Sequence, residues 1–133
     1  MAPGQAWVVN PAAAGVPSDD RQWVAAYGPQ TIAMTYNATS VTRPPGGIGL
    51  FFTKSTDAGR TFGPPVEITA ATALDSTNVE GNLVVDPYTG NFYTTYIPLG
   101  QNNVIRLASS TDGGATWTVT TAYTGPAGER RIG

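Results

Sequence analysis

The side chains able to do chemistry in this chain are few in kind. Its 133 residues include no cysteine and no histidine. That removes thiolate nucleophiles, disulfides, histidine-based triads and ordinary zinc sites. Acid–base or ion chemistry falls to six Asp, three Glu, six Arg, one Lys and six Tyr. Two of the acids sit in a recurring motif. Ser55-Thr56-Asp57-Ala58-Gly59-Arg60-Thr61-Phe62 returns 55 positions later as Ser110-Thr111-Asp112-Gly113-Gly114-Ala115-Thr116-Trp117. The spacing suits local work: a carboxylate accepts bonds from the amides of a tight hairpin, and a glycine two residues later permits positive φ. The closing aromatic packs back on neighbouring structure. Ser55, Asp57, Gly59 and Phe62, with Ser110, Asp112, Gly114 and Trp117, therefore read as turn staples. Metal or glycan binding by Asp57 and Asp112 is the alternative, and local bonding explains the spacing without a ligand.

A wider repeat must position these motifs. Trp23 through Tyr36 aligns without a gap on Leu83 through Tyr96 at a displacement of 60, and the difference from 55 lies in the longer loop Asn37–Gly47. Each copy contains four short strand-like runs: Gln22–Tyr27, Thr31–Asn37, Gly49–Ser55 and Val66–Thr69, then Asn82–Asp86, Asn91–Ile97, Val104–Ser110 and Thr118–Tyr123. Turn residues separate them, among them Asp86-Pro87-Tyr88-Thr89-Gly90 at a polar hairpin tip. No segment shows a helical period. The ends extend the pattern. Gly4-Gln5-Ala6-Trp7 lines up with Gly114–Trp117, and Asp20, Glu80 and Glu129 each stand three residues before an apolar position. An all-β chain follows, of two four-stranded antiparallel meanders over 20–69 and 80–124. Residues 7–10 would be the outer strand of a preceding unit and 129–133 the start of the next. A chain of 1–133 is then expected to be part of a larger domain.

Composition agrees with strands. Hydrophobic residues make up 41% and charged residues 12%, and the 16 glycines and 11 prolines fall between apolar runs. A net charge of −2 with no basic stripe argues against nucleic acid as a partner. No apolar run approaches the roughly 20 residues of a spanning helix, so no membrane is expected as a partner.

The Ser-x-Asp-x-Gly-x-Thr-aromatic motif, twice at this spacing, resembles the Asp box (BNR repeat) of sialidase-like β-propellers. The resemblance covers nearly the whole chain and implies β-propeller blades. It further implies a secreted protein associated with glycan recognition or glycoside hydrolysis, no cofactor, and glycan as a partner beside further blades or further copies of the chain. In that family ligands bind on the face opposite the Asp boxes. The loops of that face would here present Asp19, Asp20, Arg21, Asn78, Glu80 and Arg131. Arginine forks suit a carboxylate, and Arg131-Ile132-Gly133 is similar to the family's Arg-Ile-Pro with Gly in place of Pro. The family's catalytic Tyr–Glu pair is not identifiable: Tyr36 and Tyr96 read as mid-strand packing residues. The chain is thus expected to be catalytically incomplete by itself, with no catalytic residue assigned. A non-catalytic protein-binding propeller, or a structural module that assembles into a ring, is the alternative.

Simpler readings stand beside these. Asp20-Arg21 can be a structural ion pair. Trp7, Trp23 and Trp117 suit core packing before sugar stacking. Asn37-Ala38-Thr39 fits the N-glycosylation acceptor pattern. A blade pair standing alone would expose Val24, Leu50, Phe52, Leu83 and Ile105 on its outer faces.

Overall fold

The computed structural model describes residues 20–40, 47–72, 75–77 and 79–128. The expected segments 7–10 and 129–133 lie outside them. The fold is all-β and built of two antiparallel sheets. The first holds β1 (Asp20–Tyr27), β2 (Thr31–Thr39), β3 (Ile48–Ser55) and β4 (Val66–Glu67), side by side in chain order. The second holds β5 (Val79–Glu80), β6 (Val84–Val85), β7 (Phe92–Ile97), β8 (Val104–Ser110) and β9 (Thr118–Thr124). Its innermost position is shared by β5 and β6, which both pair with β7.

The register follows the sequence repeat. β2 pairs with β3 as Ile32↔Ser55 through Tyr36↔Phe51. β7 pairs with β8 at the equivalent positions, Phe92↔Ser110 through Tyr96↔Arg106. Every residue of the first pairing therefore has a counterpart on the same face of the second.

Two expected strands differ. The run Asn82–Asp86 is a strand only at Val84–Val85, and a second short strand, Val79–Glu80, precedes it with a register against β7 that differs by one residue. Gly81 donates its amide to the Thr95 carbonyl at 2.7 Å. A Cβ on Gly81 would collide with Thr95 Oγ1, so any larger residue there would have to displace that hydroxyl. β1 changes register in the corresponding stretch, between Asp20 and Trp23. The run Val66–Thr69 is a strand only for two residues, then turns into a 3-10 helix over Ile68–Ala71. Thr69 Oγ1 takes the Leu50 amide at 3.1 Å, so a side chain replaces the backbone acceptor that a longer strand would supply.

The sheets pack face to face. Ala33, Leu50 and Phe52 of the first meet Leu83, Phe92, Tyr96 and Ala108 of the second, with Ile68 between. Phe52 lies 5.0 Å from Phe92 and 5.2 Å, edge-on, from Trp117. Aromatic pairs in such tilted geometry add to the burial of their area. Leu50, Phe52 and Leu83 are thus core residues and not part of an exposed outer face, because each sheet covers the other. Val24 is exposed as expected. Trp117 packs as the sequence implies, whereas Trp23 is 40% exposed.

The segment 75–77 ties the sheets together. Ser76 Oγ donates to the Ile48 carbonyl at 2.6 Å and accepts the Ile48 amide at 2.9 Å. Thr77 donates its amide to the same carbonyl at 3.0 Å and its hydroxyl to the Ile97 carbonyl at 2.7 Å. The Leu99 amide closes on the Ser76 carbonyl at 2.7 Å. One short stretch thereby anchors the start of β3 and the end of β7.

Candidate functional site

The two Asp-containing hairpins lie at one end of the sheets and share the same four serine and aspartate bonds. In the first, Ser55 Oγ accepts the Gly59 amide at 2.8 Å and donates to Asp57 Oδ1 at 2.7 Å. Asp57 accepts the Thr61 amide at 2.8 Å and the Thr61 hydroxyl at 2.6 Å. In the second, Ser110 Oγ accepts the Gly114 amide at 2.8 Å and donates to Asp112 at 2.8 Å, while Asp112 accepts the Thr116 amide at 2.9 Å and hydroxyl at 2.6 Å. The Thr61 and Thr116 hydroxyls, aided by the threonine amides and the serines, hold both carboxyls down at about 2. Both carboxylates are consumed by their own turns. Among the described residues no group of three or more potential metal ligands converges.

The second hairpin also docks on the first sheet. Lys54 Nζ donates to the Gly113 carbonyl at 2.6 Å, and Gly114, at φ +92°, lies against the Phe52 ring where no Cβ fits. A groove of about 220 Å³ beside this contact is lined by Phe52, Lys54, Pro64, Val66 and Gly113. Its carboxylate, Asp112, is already engaged by Thr116 and Ser110.

The opposite end of the sheets carries a different chemistry. Tyr96 donates its hydroxyl to Asp75 Oδ2 at 2.8 Å, and Arg106 Nε donates to the same oxygen at 3.1 Å. Thr72 Oγ1 lies 3.2 Å from the Tyr96 hydroxyl, and an Arg106 terminal nitrogen donates to Thr121 Oγ1. Asp75 is 2% exposed and the Arg106 side chain 23%. A buried charge needs such pairing. Desolvation, reinforced by the neighbouring Asp75, pushes the Tyr96 phenol well above its ordinary value, so it stays a proton donor. Tyr96 is 1% exposed and cannot reach a substrate as a nucleophile. The arrangement fixes Arg106 and leaves part of its guanidinium facing solvent.

The repeat makes this triad conspicuous. At the positions equivalent to Tyr96 and Arg106, the first sheet has Tyr36 and Phe51, whose rings stack at 5.8 Å and 16°. An arginine where the first copy has phenylalanine was a visible signal. Asp75 was not, because it stands in the connecting segment, outside the aligned strands.

Of the residues expected on this face, Asp19, Asn78 and Arg131 lie outside the described residues. Asp20 begins β1. Arg21 is exposed and has φ +52°, a left-handed conformation costly for a residue with a Cβ, inside the stretch where β1 changes register. Glu80 is buried in β5 opposite Tyr96, and so takes its place between the sheets instead of on an open surface. Asn37 is 1% exposed in the middle of a paired strand. The folded chain therefore offers no glycan acceptor at Asn37-Ala38-Thr39. Tyr36 packs as expected, while Tyr96 is both buried and polar-bonded. The tip Asp86–Gly90 is a stapled turn: Asp86 accepts the Tyr88 amide at 2.9 Å and the Thr89 hydroxyl at 2.6 Å, and these bonds, the hydroxyl's first, lower its pKa.

No family model matches the chain, and no curated protein matches it.

Proposed function

We propose that the chain is a pair of Asp-box β-propeller blades of the sialidase-like kind, serving glycan recognition at the end of the sheets opposite the two hairpins and lacking a complete catalytic set of its own. The observation that carries the reading is the way the sheets stack. The first sheet meets the second through Ala33, Leu50 and Phe52. Their repeat counterparts, Tyr93, Ile105 and Leu107, lie on the far face of the second sheet, because side chains alternate along β7 and β8 and cross-strand partners share a face. The same packing rule can therefore be applied again, and radial repetition of four-stranded sheets is how propellers are built.

Glycan recognition rests on the arginines. Arg106, held by Asp75 and Thr121, and exposed Arg21 both lie toward the strand ends away from the hairpins. A guanidinium fork favours the carboxylate of an acidic sugar over a neutral hydroxyl. Saturation-transfer NMR of the chain with N-acetylneuraminate, glucuronate and galactose tests this. The acidic sugars should show saturable transfer that weakens in Arg106→Met, without turnover of sialosides. Equal signals for all three sugars, or none for any, would overturn it.

A second reading is favoured by the same far face. Val84 is 54% exposed and pairs with Tyr93, and Tyr123 is 39% exposed and pairs with Ile105. An apolar sheet face of this kind suits a protein partner or a further sheet. Light scattering coupled to size exclusion separates the readings: self-association lost in Val84→Glu supports assembly as the chain's work.

A further inference from the structure

Two side chains between the sheets have polar atoms that the protein does not satisfy. Thr35 is fully buried and Asn37 is 1% exposed. Thr35 Oγ1 and both amide atoms of Asn37 lack a hydrogen-bond partner. The residues are two apart on β2, and their partners on β3 are Phe52 and Leu50. They thus share the face that carries the inter-sheet core, where their β3 neighbours offer neither donor nor acceptor; on β1 they stand opposite Trp23 and Asp20. On the facing sheet, Thr94 Oγ1 donates to the Gly81 carbonyl at 3.2 Å, and the Tyr96 hydroxyl to Asp75.

Leaving a buried amide and hydroxyl unpaired is among the costliest features a core can hold. Evolution of an apolar core would place Val and Leu at these positions, which have the same shape without the cost. A small group that both donates and accepts resolves the conflict. Buried waters of this kind make about three bonds to otherwise unsatisfied groups, and Thr35 with Asn37 supplies three atoms.

We propose that Thr35 and Asn37 form a binding site for an ordered internal water, held between the two sheets as a permanent part of the fold. The site is independent of the glycan reading and of any further blade. The hydroxyl and the amide grip the water from one strand, so losing either weakens its hold.

The sign of a mutational effect tests the site. Asn37→Leu keeps the volume and deletes both amide atoms. With a bound water it should lower Tm by several degrees, since the water loses its main partners. Without one it should raise Tm, because two unsatisfied atoms vanish. Water–protein cross-relaxation NMR adds a direct readout: the Asn37 Nδ2 protons should show cross-peaks of the sign that marks a long-lived water. Thr35→Val should weaken those peaks and carries the test should Asn37→Leu fail to fold. An Asn37→Leu variant as stable as the parent or more so, or Asn37 protons silent toward water, overturns the proposal.

Discussion

Tyr96 donates its hydroxyl to a carboxylate, Asp75, that stands 21 positions earlier in the chain and 2.8 Å away. The bond crosses from a sheet strand to the segment that connects the two sheets. It shares its acceptor oxygen with Arg106, so phenol, carboxylate and guanidinium form one unit. Removing Asp75 takes an acceptor from both donors, whereas removing Tyr96 or Arg106 leaves Asp75 with one of its two partners.

Tyr96→Phe should therefore destabilise by about 1–3 kcal/mol, the scale for stranding one buried hydrogen-bonding group. Asp75→Ala should cost more, because it takes an acceptor from both donors. The double variant should be far from additive. Urea melts of the three variants measure this, and additive losses would show that the unit is not coupled.

The hairpin carboxylates predict a pH dependence with a definite sign. Asp57 and Asp112 titrate at about 2 in the fold, below the roughly 3.9 of an unfolded aspartate. Their contribution is present above about pH 4 and is lost as the pH falls through about 2. Asp57→Asn and Asp112→Asn should flatten the acid limb of the stability curve. Thermal melts across this range check it, and parallel limbs for variant and parent would contradict it.

The two hairpins differ at one conformationally decisive position. Ala58 has φ +60° where the second copy has Gly113 at φ +73°. A left-handed alanine costs roughly 1–2 kcal/mol, partly offset by the greater unfolded freedom of glycine. Ala58→Gly should raise stability by about 0.5–1 kcal/mol. A lower Tm would mean that Ala58 is not strained.

Gly59 and Gly114 occupy equivalent places with unequal surroundings. Both have positive φ, but only Gly114 lies against a ring, that of Phe52. Gly59→Ala should cost about 1–2 kcal/mol for its backbone, and Gly114→Ala about 1–3 kcal/mol more for overpacking. Trimming the ring in Phe52→Leu should recover part of the second loss only. Equal costs at the two glycines would argue against the docking of the second hairpin on the first sheet.

Much of this fold was legible because its causes are local. Hairpin residues such as Ser55, Asp57 and Gly59 act within four positions of one another, and apolar alternation sets β2, β3, β7 and β8. What escaped depends on contacts across the fold. The break at Gly81 coincides with its contact to Thr95 on β7, and the short β4 gives way to Thr69 serving Leu50. Leu50, Phe52 and Leu83 read as exposed when each unit is taken alone, and the two sheets bury them against each other. Asp75 carries no motif, and only Tyr96 and Arg106 give it meaning. Asn37 matched a modification pattern that knows nothing of burial.

The stitching of 75–77 to Ile48, Ile97 and Leu99 has a consequence for the time order of folding. A ribosome delivers the first sheet and Asp75 before Arg106, which lies 31 positions later. Until β8 emerges, the carboxylate has no guanidinium and stays hydrated. The connecting segment can reach Ile48 early, yet its polar core closes only when the second sheet is in place. Growth of the nascent chain thus leaves the first sheet waiting with a solvated acid at its edge, and the arrival of one arginine converts that edge into an interior.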